Sequence, residues 1–241
     1  MKAMILAAGL GTRLKPWTDH HPKALALVNG KSLLERNIIY LQQFGIKEVL
    51  VNVHHFAGEI ISAIEKNKGW GSSITISDET EEVLETGGGL KKAAGYFQGE
   101  ADFVMMNADI LTQLDLGAMI SQHQQLKPLA TLAVSDRNTS RYFLFDESGY
   151  LKGWRNVNTG EEKPANISTI ISRLRQMAFS GIHVISTDLL KLMNREGKFS
   201  MVDVYLDLCA NYQIQSYDHT GTVLVDVGKP ESILKAEQIF T

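Results

Sequence analysis

A chain of 241 residues, 44% of them hydrophobic, is long enough to bury one sizeable core, and α/β chains of this length are commonly a single domain. A net charge of -3 with 21% charged residues lacks the broad positive field that nucleic-acid binding draws on, so small molecules are the expected partners. No apolar run approaches the roughly 20 residues that span a bilayer, and the run at Met1–Gly9 is too brief for a signal-peptide core, which predicts a cytoplasmic protein with no membrane or nucleic-acid partner.

The first predicted strand, Ala3 to Ala8, runs into a glycine loop. Ser32-Leu33-Leu34-Glu35 is a capping box that opens a helix, and Gly45 closes it. Strand Glu48 to Val53, a helix from about Gly58 to Lys66 and strand Ser73 to Ser77 follow. Gly87-Gly88-Gly89 then leads, at a strand-to-helix crossing, into a helix ending near Tyr96. Strand Phe103 to Asn107 stops at Ala108-Asp109, and a helix over Leu116 to Gln125 precedes a strand from Leu129 to Val134. This alternation predicts βαβ units around a Rossmann-like, doubly wound, mainly parallel sheet.

Between Arg141 and Trp154 two short runs flank Asp146-Glu147-Ser148-Gly149, a hairpin that is expected to leave the main sheet. Residues 156–177, with Pro164 inside, read as a loop or lid followed by a short helix carrying Arg173 and Arg175. Strand Phe179 to Ile185, two helices, strands near Gln213–Tyr217 and Thr222–Val227, and a last helix complete the chain. Cys209, among Val202, Val204, Leu206 and Leu208, reads as a buried helix thiol.

Three motifs carry chemistry. In Leu6-Ala7-Ala8-Gly9-Leu10-Gly11-Thr12-Arg13-Leu14, glycines directly after a buried strand let backbone N–H groups approach phosphate oxygens, while Arg13 and, past Pro22, Lys23 add positive charge. Leu14 stands where a dinucleotide fingerprint needs its third glycine and no Gly-Lys-Ser/Thr closes a P-loop, so a different phosphate cradle is implied. The second motif, Asn107-Ala108-Asp109, ends an apolar strand, where open α/β sheets bind ligands. The third, Val225-Asp226-Val227-Gly228, sets another carboxylate among apolar neighbours, and two such carboxylates can share Mg²⁺ with triphosphate oxygens. The histidine pairs His20-His21 and His54-His55 lack zinc-ligand spacing, and no second glycine follows Ser180 to make a nucleophile elbow.

Together with Leu84-Glu85-Thr86-Gly87-Gly88-Gly89, Phe179-Ser180-Gly181 and the Lys229-Pro230-Glu231 that follows Gly228, these motifs resemble the sugar-1-phosphate nucleotidyltransferase (sugar-nucleotide pyrophosphorylase) family over nearly the whole chain. The Leu84–Gly89 segment is closest to that of the N-acetylmuramate-1-phosphate uridylyltransferases of cell-wall recycling. Mannose- and heptose-1-phosphate guanylyltransferases are similar but tend to carry glycine where this chain has Glu85, and Ala108 departs from the commoner Asn-Gly-Asp.

The resemblance implies a GT-A-like α/β fold with an inserted hairpin for the sugar, and transfer of a nucleoside monophosphate from an NTP, UTP favoured, to a sugar 1-phosphate. It implies one domain over 1–241: a nucleotide-binding part over about 1–135, a sugar-binding and lid part over about 136–220, and a metal-binding strand with the last helix over 221–241. Ala8, Gly9 and Gly88 would contact the base, with Leu6, Gly87 and Asn107 completing the nucleotide side. Gly11, Thr12 and Arg13 would hold the triphosphate, Lys23 the α-phosphate, and Asp109 with Asp226 the Mg²⁺; Arg13, Lys23 and Asp109 would be catalytic. Glu85, Asp109, Gly181 and either Arg155 or Lys163 would meet the sugar phosphate, since Glu162-Lys163-Pro164 matches the family's Glu-Lys pair in letters and Arg155 matches it in position. The rival expectations are a non-catalytic regulatory relative and cytidylyl transfer to an alcohol phosphate; retention of all four charged residues favours an enzyme.

Overall fold

The computed structural model describes residues 1–165, 167 and 170–241. Its first strand, β1 (Lys2–Leu6), is followed by short 3₁₀ turns and a small ladder of β2 (Leu27–Val28) with β3 (Lys31–Ser32). Helix α1 (Leu33–Gln43) starts where predicted, with the Ser32 hydroxyl accepting from Glu35 N–H at 3.1 Å. It ends at Gly45, whose positive φ lets Gly45 N–H reach Gln42 O (2.9 Å) and Ile46 N–H reach Leu41 O (3.1 Å), a Schellman closure.

The chain continues through β4 (Glu48–Val53), α2 (Ala57–Lys66), β5 (Ser73–Asp78), α3 (Glu85–Ala93), β6 (Asp102–Asn107), β7 (Ile110–Thr112), α4 (Leu116–Leu126) and β8 (Ala130–Ser135). Strands β5, β4, β1 and β6 lie side by side in that order, all parallel. Period-two alternation sends Ile5, Val49, Val51 and Val104 to a face covered by α1, α2 and α4, and Met4, Leu50, Phe103 and Met105 to the opposite face, against α3. Strands buried on both faces read as continuous apolar runs, which is why this doubly wound half is visible in the sequence.

The hairpin is β9 (Arg141–Phe145) and β10 (Leu151–Asn156), closed by Asp146, whose carboxylate accepts Ser148 N–H at 3.0 Å and Tyr150 N–H at 2.9 Å. It does not leave the sheet as expected. Strand β10 takes on the short β11 (Glu162–Lys163), and β9 pairs with the first residues of β12 (Arg175–Ser186), whose remainder runs antiparallel to β6 and β8. A bulge between Phe179 and His183, with Gly181 at φ +73°, bends β12 so that it serves both neighbourhoods.

In place of the short helix expected before it, the described residues form a 3₁₀ turn at Ile171–Arg173; Asn166, Ser168 and Thr169 lie outside the described residues. Arg175 belongs to β12, where pairing with Phe145 of β9 and an ion pair with Asp218 at 2.9 Å hold it extended. After it come α5 (Asp188–Lys191), α6 (Met201–Leu208), β13 (Ile214–Asp218), β14 (Leu224–Asp226) and α7 (Pro230–Ile239). Helix α6 joins α3 on its face of the sheet, and half-buried Cys209 caps α6 with its thiol against Leu206 O at 3.4 Å. Strand β13 extends the sheet parallel to β8, while β14 pairs with β7 over a separate small core built on Leu14, Leu111 and Val225.

Candidate active site

A cleft of about 420 Å³ opens at the carboxyl ends of β1, β4 and β6. Its floor is Leu6, Ala7 and Ala8, where β1 stops and the glycine loop begins. The loop turns at Gly11, in the left-handed region at φ +63°; a Cβ there would stand 2.9 Å from Thr18 Cγ2 and 3.0 Å from Lys23 Cβ. Leu14, the residue that breaks the dinucleotide fingerprint, is buried in the small core, so it anchors the far end of the loop. Gly9, Gly11, Thr12 and Arg13 thereby line the cleft.

Lys23 and Asp109 also line the cleft and form an ion pair, their side chains 12% and 21% exposed. Asp109 sits one residue before β7, and its carbonyl accepts Val227 N–H at 2.8 Å from the residue after Asp226. With Asp226 opposite Ile110 in the β7–β14 ladder, residues 117 apart in sequence meet at one corner. Asp226 receives Arg13 at 3.6 Å on Oδ2, while its Oδ1 is buried without a hydrogen-bond partner. Arg13 and Lys23 are thus each matched to one strand-end carboxylate. Two carboxylates, one with an orphaned oxygen, form a hard oxygen donor set of the kind Mg²⁺ takes when substrate oxygens complete its shell.

The other expected residues separate. Asn107 and Glu85 line the cleft, Glu85 on the β5 side. Gly181 packs behind Asn107, whose Nδ2 would lie 2.7 Å from a Cβ at that glycine. Gly87 and Gly88 lie in the first turn of α3, with both N–H groups donated to Phe199 O, at 2.9 and 3.2 Å. Arg155 pairs with Glu162 at 3.6 Å and Lys163 with Asp203 at 3.3 Å, both on β10–β11 and outside the cleft lining.

Sequence reasoning missed Asn52, Glu79, Thr86 and Ser200. Asn52 Oδ1 accepts Ala7 N–H at 2.7 Å, and its Nδ2 donates to Glu79 Oε1 at 2.8 Å. Glu79 Oε2 in turn accepts Leu84 N–H at 3.4 Å, so a buried chain ties the root of the glycine loop to the start of α3. Burial pushes the Glu79 carboxyl above its ordinary pKa. One polar residue near the end of an apolar strand, Val49-Leu50-Val51-Asn52, is the signal that would have found this pair. Ser200, a cleft residue, caps α6 by accepting Asp203 N–H at 3.3 Å. Among the described residues no group of three His, Cys, Asp or Glu is placed to hold a metal by itself, and no helix is long and apolar enough to cross a membrane.

The sequence model of the nucleotidyl transferase family matches residues 2–241. The chain is 29% identical over 248 aligned positions to an N-acetylmuramate alpha-1-phosphate uridylyltransferase of Caulobacter vibrioides, covering 98% of this chain and 95% of the relative. It is 33% identical to a D-glycero-alpha-D-manno-heptose 1-phosphate guanylyltransferase of Aneurinibacillus thermoaerophilus, covering 66% and 73%. In three dimensions it superimposes on HddC from Yersinia pseudotuberculosis, solved with GMP-PN, with a TM-score of 0.79 at 24% identity over 100% of this chain and 99% of that one, a likeness of fold.

Proposed function

Because the chain belongs to the nucleotidyl transferase family, we propose that it transfers a nucleoside monophosphate from an NTP to a sugar 1-phosphate, releasing pyrophosphate. The observation that carries this reading is the meeting in one corner of the glycine loop, Arg13, Lys23, Asp109 and Asp226. We favour UTP and N-acetylmuramate 1-phosphate as substrates, in the cytoplasm, on the near full-length similarity to the Caulobacter uridylyltransferase. Guanylyl transfer to a mannose or heptose 1-phosphate is the second reading, favoured by the heptose relative.

The acceptor phosphate is already an anion at neutral pH, so no enzymatic nucleophile is needed. Its oxygen bonds to the α-phosphorus as the bond to the bridging α–β oxygen breaks, and positioning with charge neutralisation does most of the work. The amides of Gly9, Gly11 and Thr12 receive the triphosphate. Lys23 leaves Asp109 to neutralise charge on the α-phosphate, and Arg13 leaves Asp226 to neutralise the departing pyrophosphate. Asp109 and Asp226 would hold Mg²⁺, which when bound supplies Lewis-acid charge to phosphate oxygens. The acceptor comes from the hairpin side, past Asn107 and Gly181, with Arg155 or Lys163 reaching its phosphate.

A pyrophosphate-release assay with Mg²⁺ tests the proposal, crossing UTP, GTP, CTP and dTTP against N-acetylmuramate, mannose, heptose, glucose and N-acetylglucosamine 1-phosphates. Release with one pair establishes the transfer and names its substrates; silence across the grid moves the weight to a non-catalytic relative or to an acceptor outside these sugars.

A further inference from the structure

Six non-glycine residues among those described have φ in the left-handed region, and Glu85 (φ +59°) is the one of them on the cleft wall. Glycine adopts this conformation freely, and residues with a Cβ avoid it. Such outliers persist where their surroundings hold them, and they gather at ligand clamps. Here both flanks of Glu85 are fastened. Before it, Leu84 O accepts Phe199 N–H at 3.2 Å; after it, the Thr86 hydroxyl accepts Met201 N–H at 2.9 Å and the Gly87 and Gly88 amides bind Phe199 O. The Glu85 carboxylate stands 3.8 Å from Lys198 Nζ, with both side chains about half exposed.

The sheet order sets which part of a nucleotide Glu85 faces, on the reading proposed above, with Lys198 beside it at the rim. Asp109 follows β6, and the candidate acceptor residues come from β10–β12 on that side of β1. Glu85 follows β5, on the other side of β1 and away from the acceptor side where the resemblance put it. With the triphosphate on the Gly11 loop and the acceptor beyond β6, the base is left toward Glu85.

We propose that Glu85 and Lys198 select the base by its hydrogen-bonding edge, accepting keto bases and rejecting amino bases. The carboxylate accepts the ring N–H of uracil (N3) or guanine (N1), and the ammonium donates to the adjacent carbonyl oxygen (O4 or O6). Cytosine and adenine present the reverse pattern, an acceptor ring nitrogen beside an amino donor, which sets a lone pair against the carboxylate and an amine against the ammonium.

Direct binding separates this inference from the transfer reaction: UTP, GTP, CTP and ATP are titrated calorimetrically, with Mg²⁺, into the wild type and into Glu85→Gly, Glu85→Gln and Lys198→Met. Glycine suits the left-handed backbone, so Glu85→Gly removes the side chain without strain and its melting temperature should not fall. The wild type should bind UTP or GTP at least about tenfold more tightly than CTP and ATP, the worth of a charge-assisted hydrogen bond, and Glu85→Gly should narrow that preference to about threefold or less. Lys198→Met should narrow it too. Glutamine, whose neutral amide can turn either its oxygen to a ring N–H or its amino group to a ring nitrogen, should narrow it as well. A wild type without the preference, or a Glu85→Gly protein that keeps it, overturns the inference. Selective binding without pyrophosphate release would instead count against the transfer and leave base selection standing.

Discussion

At the scale of single residues, the site stores its charges as matched pairs. Lys23 rests on Asp109 and Arg13 on Asp226, so the two cations proposed to meet phosphates are held in place by the carboxylates proposed to hold a metal. Replacing Asp109 by Asn keeps the side-chain volume and removes one charge, so the fold should survive while kcat falls by roughly 10²–10³ or more, the range for losing one preorganised electrostatic group. A melting temperature near wild type together with near wild-type turnover would sink the role given to Asp109. A second residue-scale expectation concerns His183, buried within β12 with its Nδ1 2.6 Å from the Tyr205 hydroxyl. Burial pushes its pKa from 6.5 down to about 3, so the folded state keeps it neutral while the unfolded chain protonates it below pH 6.5. Between those values the unfolded state binds more protons, and stability falls as pH is lowered. The slope from this group is at most about 1.4 kcal/mol per pH unit, or about 2 kcal/mol between pH 7 and 5. Buried His123 and His219 shift in the same direction. Urea midpoints measured across that range should drop for the wild type and drop less for His183→Gln; identical slopes would remove His183 from the account.

At the scale of elements, the structure gives the triple glycine a job that local reading misses. Helix α3 begins two residues before Gly87, and the segment 197–201 is pressed onto its first turn. A Cβ on Gly87 would come within 2.5 Å of the Phe199 ring and 2.9 Å of its carbonyl oxygen. Alanine normally favours a helix interior over glycine by about 0.8–1 kcal/mol, whereas forcing a methyl into a packed contact costs about 1–3 kcal/mol. Gly87→Ala should therefore destabilise by up to about 2 kcal/mol net and, because Ser200 follows Phe199, also weaken binding in the cleft. Gly95, with nothing within 4 Å of its Cβ position, is the control and should be neutral or better as alanine. Chemical denaturation of the two variants checks this, and equal stabilities would refute the packing argument. Contacts of this kind, between residues 87 and 199, leave no trace in local periodicity. The same holds for the β7–β14 ladder that brings Asp226 to Asp109, and for the β12 bend that draws the hairpin onto the sheet. What was legible came from short range: the capping box at Ser32, the apolar runs of β1, β4 and β6, the turn at Asp146, and the glycines after β1.

At the scale of the whole molecule, the parallel half, ordered β5-β4-β1-β6, ends its strands at one edge, and the cleft lies along that edge. A ligand there touches the glycine loop, α3, the 197–201 segment and the end of β6, parts that belong to both faces of the sheet. Binding to the folded state alone adds RT ln(1 + [L]/Kd), about 2.7 kcal/mol at a hundredfold excess over Kd. In a chain of this size each kcal/mol moves the melting temperature by about 2–4 °C, so saturating Mg²⁺–UTP should raise it by roughly 5–10 °C. Part of that rise has to come from charge. Without a cation, the triphosphate meets the Asp109 and Asp226 carboxylates as well as Arg13 and Lys23, and the repulsion offsets much of the attraction. Repeating the melt with UTP and a chelator should therefore give a clearly smaller rise, and Asp226→Ala, which removes one carboxylate and its orphaned oxygen, should lose most of the Mg²⁺-dependent increment while keeping the part due to UTP alone. A shift of the same size with and without chelator would mean that the two carboxylates hold no metal with the nucleotide, and would return Asp226 to a structural partner of Arg13.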